Sequence, residues 1–373
     1  MDEKMKIFII VLLVLCNYIN ADTSIDSIDV KFKTILHTEE EYNLDTEDSF
    51  DFTSLYAHLL LNYDFSEDIF FSFGAKYNNV ITQNHYDNYS YFNIDETMVS
   101  EFSINYDDGY FALNIGRQDV NFDWLFGSID GALVMLGDDE NYSLRLFWFN
   151  QYQHLQYNYY MNVEDINDKK GIYGAIAKAS IKDVELTLFD YYMQDLRNIS
   201  GGHINYIYKN SSYNLSYSSA KALPLALYDY DEDFLNASFE ILIDQHYFEL
   251  GFSKTGENGL LAILQMGNFM FGEFYLGNQV DRENAKNSFL KYIYANNSWR
   301  FELIGGVSKY DNSFFKIENG MSSYEIDSYL KYNYSKNISF DIGAMYMDVD
   351  ENDPLQSDQS LIMFNMVYDY ENY

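Results

Sequence analysis

Carboxylates at metal-ligand spacing are the first candidates for chemistry. The stretch DYDEDFLNASFE places Asp229, Asp231, Asp233 and Glu240 at positions one, three, five and twelve of a calcium loop. Such a loop needs glycine at position six for its sharp turn, and Phe234 stands there instead. Glu240 also falls within an alternating run, so a complete calcium hand is not expected, and loose binding of divalent cations by acidic loops is. His37, His58, His85, His154, His203 and His246 are dispersed, with no close ligand spacing. A hydrolase would need serine, histidine and an orienting group to converge. Ser54 and His58 share a strand face but lie about 13 Å apart by strand rise. No glycine loop suited to cradling phosphate occurs. No catalytic residue, metal ligand or cofactor is therefore assigned.

The elements carrying these residues share one rhythm. Ile28, Val30 and Phe32 alternate with Asp29, Lys31 and Lys33; Phe102, Ile104 and Tyr106 alternate with Glu101, Ser103 and Asn105. Further along, Phe301 and Leu303 oppose Arg300 and Glu302, and Ile338, Phe340 and Ile342 oppose Ser339 and Asp341. A period of two gives each strand one apolar and one polar face. Aromatic residues form 18% of the chain and there are only 2 prolines, which favours long strands. The runs approach the ~9–11 residues that a tilted strand needs to cross a bilayer.

The connections alternate too. Short turns, such as Asp107-Asp108-Gly109 and Ser335-Lys336-Asn337, are separated by longer acidic ones at 79–96, 151–170, 220–233, 310–323 and 347–359. That is the pattern of an up-and-down membrane barrel, in which apolar faces meet lipid and polar faces line a wet lumen. The fold expected is all-β, a transmembrane antiparallel barrel of about 18 strands, within roughly 16–20. The segment 260–276 alternates poorly and reads as part of a long loop folded into the lumen.

MDEKMKIFIIVLLVLCNYINA has a basic start, an apolar centre and a small residue at Ala21. Residues 1–21 read as a secretory signal peptide, leaving 22–373 as a single barrel domain with long acidic extracellular loops. The only cysteine, Cys16, would leave with the signal, so no disulfide is expected. A formal charge of −35 excludes nucleic acid as a partner, since phosphate contacts need clustered cations. The 47% hydrophobic content argues against disorder.

The polar phase nominates the pore lining: Lys31, Lys33, Lys76, Arg145, Lys178, Lys209, Arg300 and Lys331, with Glu101, Glu302 and Asp327. Arg117 joins them if a bulge turns it inward, because strict alternation from Ile115 aims it at lipid. Basic and acidic members nearly cancel, so most excess negative charge belongs to loops and turns. An acidic mouth enriching cations would lead to basic rows that guide carboxylates or phosphates.

The last run, LIMFNMVYDYENY, places Phe364, Met366, Tyr368 and Tyr370 in phase. It resembles the C-terminal assembly signal of Gram-negative outer-membrane proteins, although Glu371, Asn372 and Tyr373 overhang. KTGENGLLAI (254–263) and GRQDVNFDWLFGSIDGALV (116–134) are similar to segments of the outer-membrane porin D family. The resemblance implies a porin for passive diffusion of small solutes, and no particular solute. Its partners would be outer-membrane lipid and lipopolysaccharide, the barrel-assembly machinery and the solutes themselves. Whether protomers form a homotrimer is left open. An outer-membrane enzyme or exporter component on the same scaffold is the alternative, and a secreted β-rich adhesin a third class.

Overall fold

The computed structural model describes residues 28–45, 48–84, 96–138, 140–155, 160–223, 231–260, 280–312, 317–351, 353 and 358–371. The expected signal peptide and most of 260–276 lie outside them. Among these residues nineteen strands follow in chain order. The first seven are β1 (Ile28–Asn43), β2 (Asp48–Asp64), β3 (Ile69–Asn84), β4 (Glu96–Asp107), β5 (Phe111–Phe122), β6 (Leu125–Asp138) and β7 (Tyr142–Leu155). Then come β8 (Tyr160–Asp165), β9 (Ile172–Ile181), β10 (Val184–Met193), β11 (Arg197–Tyr208), β12 (Ser211–Ala222) and β13 (Glu232–Ile243). The last are β14 (His246–Thr255), β15 (Glu283–Ala295), β16 (Trp299–Asn312), β17 (Ile317–Asn333), β18 (Ile338–Val349) and β19 (Gln359–Glu371).

Each strand pairs antiparallel with its neighbour, and β1 pairs with both β2 and β19, which closes the sheet. The short β8 pairs only with the loop end of β7, whose other half pairs directly with β9. The closed barrel therefore has 18 strands. Closure is what a membrane demands, because no sheet edge is left with unpaired backbone groups.

Most short connections and both ends of the barrel chain share one rim, as the alternation of turn lengths implies, although residues 194–196 between β10 and β11 turn tightly at the other. Local chemistry makes these turns. Lys182, Lys209 and Asp244 open two-residue turns with φ of 55°, 55° and 54°, the left-handed start that suits a twisted hairpin. In the β4–β5 turn the amides of Phe111 and Tyr110 donate to Asp108 at 2.7 and 3.0 Å. Those donors hold the Asp108 carboxyl below its ordinary range.

The apolar phase faces outward. Phe102, Ile104, Ile115, Leu188, Leu215, Leu250, Leu290 and Ile342 are exposed around the circumference, rather than buried between two stacked sheets. A barrel in lipid needs this inversion. The other rim departs from expectation at 310–323. Most of that stretch is strand, in β16 and β17, because the two pair across Asn312 and Ile317.

Candidate functional site: the constricted lumen

The inner wall is not uniformly wet. Between β7 and β13 the inward positions Phe147, Phe149, Ile176, Phe189, Tyr191, Ile199 and Phe234 form one buried apolar cluster. Leu146, Trp148, Leu188 and Tyr192, one residue out of phase, are exposed on the outside. These strands are apolar on both faces, so something must cover the inner one.

The cover is the β5–β6 hairpin. β5 pairs with β4 only as far as Phe102 opposite Arg117, yet β5 and β6 stay paired with each other up to Phe122 opposite Leu125. The free end carries a two-residue turn, Asp123-Trp124, with Trp124 at φ 63°. Trp124 and Leu125 are buried within the apolar cluster. The indole meets Phe234 edge-on with ring centres 6.0 Å apart, and Phe122 stacks on Phe147 at 5.5 Å. Asp123 Oδ2 lies 3.6 Å from His203 Nδ1 on β11. Burial raises the Asp123 carboxyl above its ordinary range, against the opposing pull of His203 and Lys178. Hairpin tip and far wall together divide the lumen.

Gly116 marks the departure point. Its φ of +122° lies in a region that L side chains rarely adopt. The next residue, Arg117, lies in the strand rather than past its end. Its Nε and Nη2 donate to Asp130 Oδ1 and Oδ2 at 2.7 and 2.6 Å, and Nη1 donates to Gln153 at 3.1 Å. This fork ties β5 through β6 to β7, and leaves Arg117 as a clamp at the hairpin stem. Replacing Arg117 with Ala should cost about 2 kcal/mol, less than the ~3–5 of a fully buried pair, because both side chains keep some solvent. Urea unfolding in detergent, with Asp130→Asn as the second arm of a double-mutant cycle, measures it.

On the opposite side the lumen is charged. Lys33, His58 and Lys76 stand directly across β1, β2 and β3 from one another. Lys76 Nζ donates to Asp119 Oδ2 at 2.7 Å, and Ser128 donates to the other oxygen. His58, Glu101 and Asp119 bring one imidazole nitrogen and two carboxylate oxygens within 4.8 Å of one another. The Lys76 ammonium already neutralises Asp119 there, so the group reads as an ion-paired wall of the constriction.

Further round, Arg300 faces Lys331 across β16 and β17, and Lys331 faces Asp341 across β17 and β18. Glu302 lies 3.4 Å from Lys291 and 2.8 Å from Arg300. These residues line a cavity of about 360 Å³, and Lys33 joins Lys331 and Asp341 around a second of about 300 Å³. Lys31 pairs with Glu371 near the short-turn rim. Arg145 lies 5.8 Å above the Phe122 ring in a cavity of about 350 Å³ under the hairpin. Lys178 sits on β9 opposite Ser143 and Thr187, facing the hairpin tip. Asp327 is buried, opposite Ile304 and Met345. Lys209 stands apart. It occupies the β11–β12 turn with its ammonium 5.1 Å from the centre of the Tyr208 ring.

Sequence reasoning missed the aromatic inner wall and the acids Asp119, Asp123 and Asp130. The signal was there: LRLFWFN (144–150) and LTLFDYYM (186–193) lose their alternation towards the loop rim. The calcium-like stretch dissolves, since Glu240 lies on β13 accepting from Asn214, and Asp231 accepts from the Ala222 amide at 3.1 Å. Asp229 falls outside the described residues.

No protein-family model matches the chain, and no curated protein does. Solved structures do. OccAB1 of Acinetobacter baumannii superposes with a TM-score of 0.76, 10% identity, and coverage of 95% of this chain and 99% of that one. OpdK of Pseudomonas aeruginosa, solved with vanillate, gives 0.73 at 11% identity, covering 93% and 100%. OccD3 (OpdP) of the same organism gives 0.72 at 11%, covering 94% and 92%. These neighbours are outer-membrane porins. The chain thus has the fold that the resemblance to the outer-membrane porin D family implied, a closed barrel of 18 antiparallel strands.

Proposed function

We propose that the protein is a porin of the Gram-negative outer membrane, through which small solutes diffuse passively. One observation carries this reading: lipid-compatible side chains cover the outside, while a folded-in hairpin narrows a charged interior. Residues 1–21 serve as the export signal of a barrel domain spanning 22–373. Solutes cross by the side of the lumen that the hairpin leaves open, past Lys33, and past Lys331, Arg300 and Glu302. Lys209, in its turn, takes no part in that path. Cationic groups in direct cross-strand register favour anions carrying a carboxylate or phosphate. The fold neighbours support transport over catalysis. Ser100 Oγ does lie 3.4 Å from His58 Nε2, but Ser100 is fully buried and offers no face to a substrate.

Reversal potentials in planar bilayers test the basic path. At about 7 Å in a water-like medium a unit charge contributes about 0.6 kcal/mol, a factor of about three in ion preference. Changing Lys33 and Lys331 together to Gln should therefore move selectivity towards cations by roughly tenfold at low salt. The shift should fade near 1 M salt, where the screening length falls to about 3 Å. Unchanged reversal potentials would refute the basic path, and absence of any conductance would refute the porin.

A further inference from the structure

The outer face carries one feature that a lipid-facing surface does not need. Lys254 on β14 stands directly opposite Lys286 on β15, and Lys286 directly opposite Lys309 on β16. All three are exposed, in phase with outward Phe252, Leu290 and Val307. The preceding cross-strand row, Phe252, Ser288 and Val307, lies two residues nearer the short-turn rim, about 6.6 Å along the strands. The lysines thus sit where the apolar band ends on the loop side.

Like charges directly opposite one another on a sheet are destabilising. This chain has only 23 cationic side chains against 58 carboxylates, yet it aligns three ammoniums and supplies no acid to them. Among the described residues none of the three has an ion pair or a hydrogen bond. Two acids on the loop side of β13 and β16 are engaged elsewhere. Asp233 accepts from the Tyr217 hydroxyl at 3.0 Å, and Asp311 accepts from Asn284 at 3.0 Å and the Gly320 amide at 3.2 Å. Cross-strand side chains start about 4.5–5.5 Å apart, so the row spans a width that one or two phosphate groups can bridge.

We infer that Lys254, Lys286 and Lys309 form a binding site for the phosphates of an anionic glycolipid headgroup in the outer leaflet. The headgroup supplies the missing negative charge, while its acyl chains lie along Phe252, Leu250 and Val307 below. Acyl burial and phosphate pairing act at adjoining heights, which a soluble anion cannot reproduce. The inference rests on the outer-membrane reading, since it places the loop rim in a leaflet of phosphorylated glycolipid.

The test uses the full-length mature protein in detergent and bisphosphorylated lipid A, with native mass spectrometry as the readout. Lys254→Gln/Lys286→Gln/Lys309→Gln should bind lipid A at least tenfold more weakly, and the corresponding triple Arg variant within about twofold of wild type. These changes relieve like-charge repulsion on an exposed face, so the Gln variant should melt no lower than wild type. Wild type should bind dephosphorylated lipid A as weakly as the Gln variant binds lipid A. Equal lipid A binding by wild type and the Gln variant would overturn the inference, as would equal binding of the dephosphorylated lipid. Thermal stabilisation by inorganic phosphate alone matching that by lipid A would overturn the lipid as the source. Bilayer conductance of the Gln variant should equal that of wild type. A wild type that binds lipid A but never conducts would instead remove the porin reading.

Discussion

Trp124→Ala is expected to destabilise the barrel by about 3–5 kcal/mol and to raise its mean conductance, with added current noise in the open state. The stability term follows from burial. Trp124 is fully enclosed at the hairpin tip, and alanine would leave a cavity beside Phe234 within the apolar cluster. It would also forfeit the edge-on contact with Phe234, a pair worth about 0.5–1.5 kcal/mol beyond area alone. The conductance term follows from topology. Beyond Arg117 the hairpin has no ladder to β4, and beyond Ser128 none to β7, so the tip's packing on the far wall, with the Asp119–Lys76 pair, holds it across the lumen. Once the indole is gone, the tip still keeps the Leu125 side chain, Phe122 between Phe147 and Arg145, and the 3.6 Å approach of Asp123 to His203. Trp124→Phe refills most of the space and should give near-native currents. Single-channel recordings and urea unfolding of both variants measure the two effects. A Trp124→Ala protein with native conductance would show that the hairpin stem alone sets the constriction.

That hairpin explains where the sequence was legible and where it was not. Alternation identifies a strand by local residue type, and it places Phe102, Ile104 and Ile342 on the lipid face without tertiary information. Turn chemistry is equally local, so Asp108 and Asn337 announced the short-turn rim. What lines a lumen depends on what folds into it. Phe147 and Tyr191 look like errors of pattern until the hairpin tip lies against them. Arg117 breaks the apolar phase of Ile115, and only the neighbouring strand shows what meets its charge: Asp130 stands directly opposite. Lys209 follows Tyr208 in phase for the inner wall, but the two-residue turn that begins there takes it out of the ladder. The lysine row at 254, 286 and 309 was invisible for another reason: register between strands is a pairing property, and no single strand displays it.

Register and close approach also make Gly116→Ala the sharpest probe of how the hairpin leaves the wall. Gly116 stands opposite Ser103 in the penultimate pair of the β4–β5 ladder. A Cβ there would overlap the Phe102 carbonyl oxygen and come within 3.1 Å of the Ser103 Cα, both backbone atoms that cannot rotate away. Its φ of +122° adds strain of about 1–3 kcal/mol for a residue with a side chain. Together these should cost about 3 kcal/mol or more unless β5 parts from β4 one pair earlier. Gly109→Ala separates the two contributions. Gly109 has a φ of +85° but nothing within 4 Å of a Cβ, so it carries conformational strain without overlap. It should lose only about 1 kcal/mol and keep native currents. If Gly116→Ala unfolds no more readily than Gly109→Ala, close approach of β5 to β4 is not what holds the stem. If it unfolds earlier and conducts more, the backbone contact at Gly116 both secures the wall and aims the hairpin across the pore.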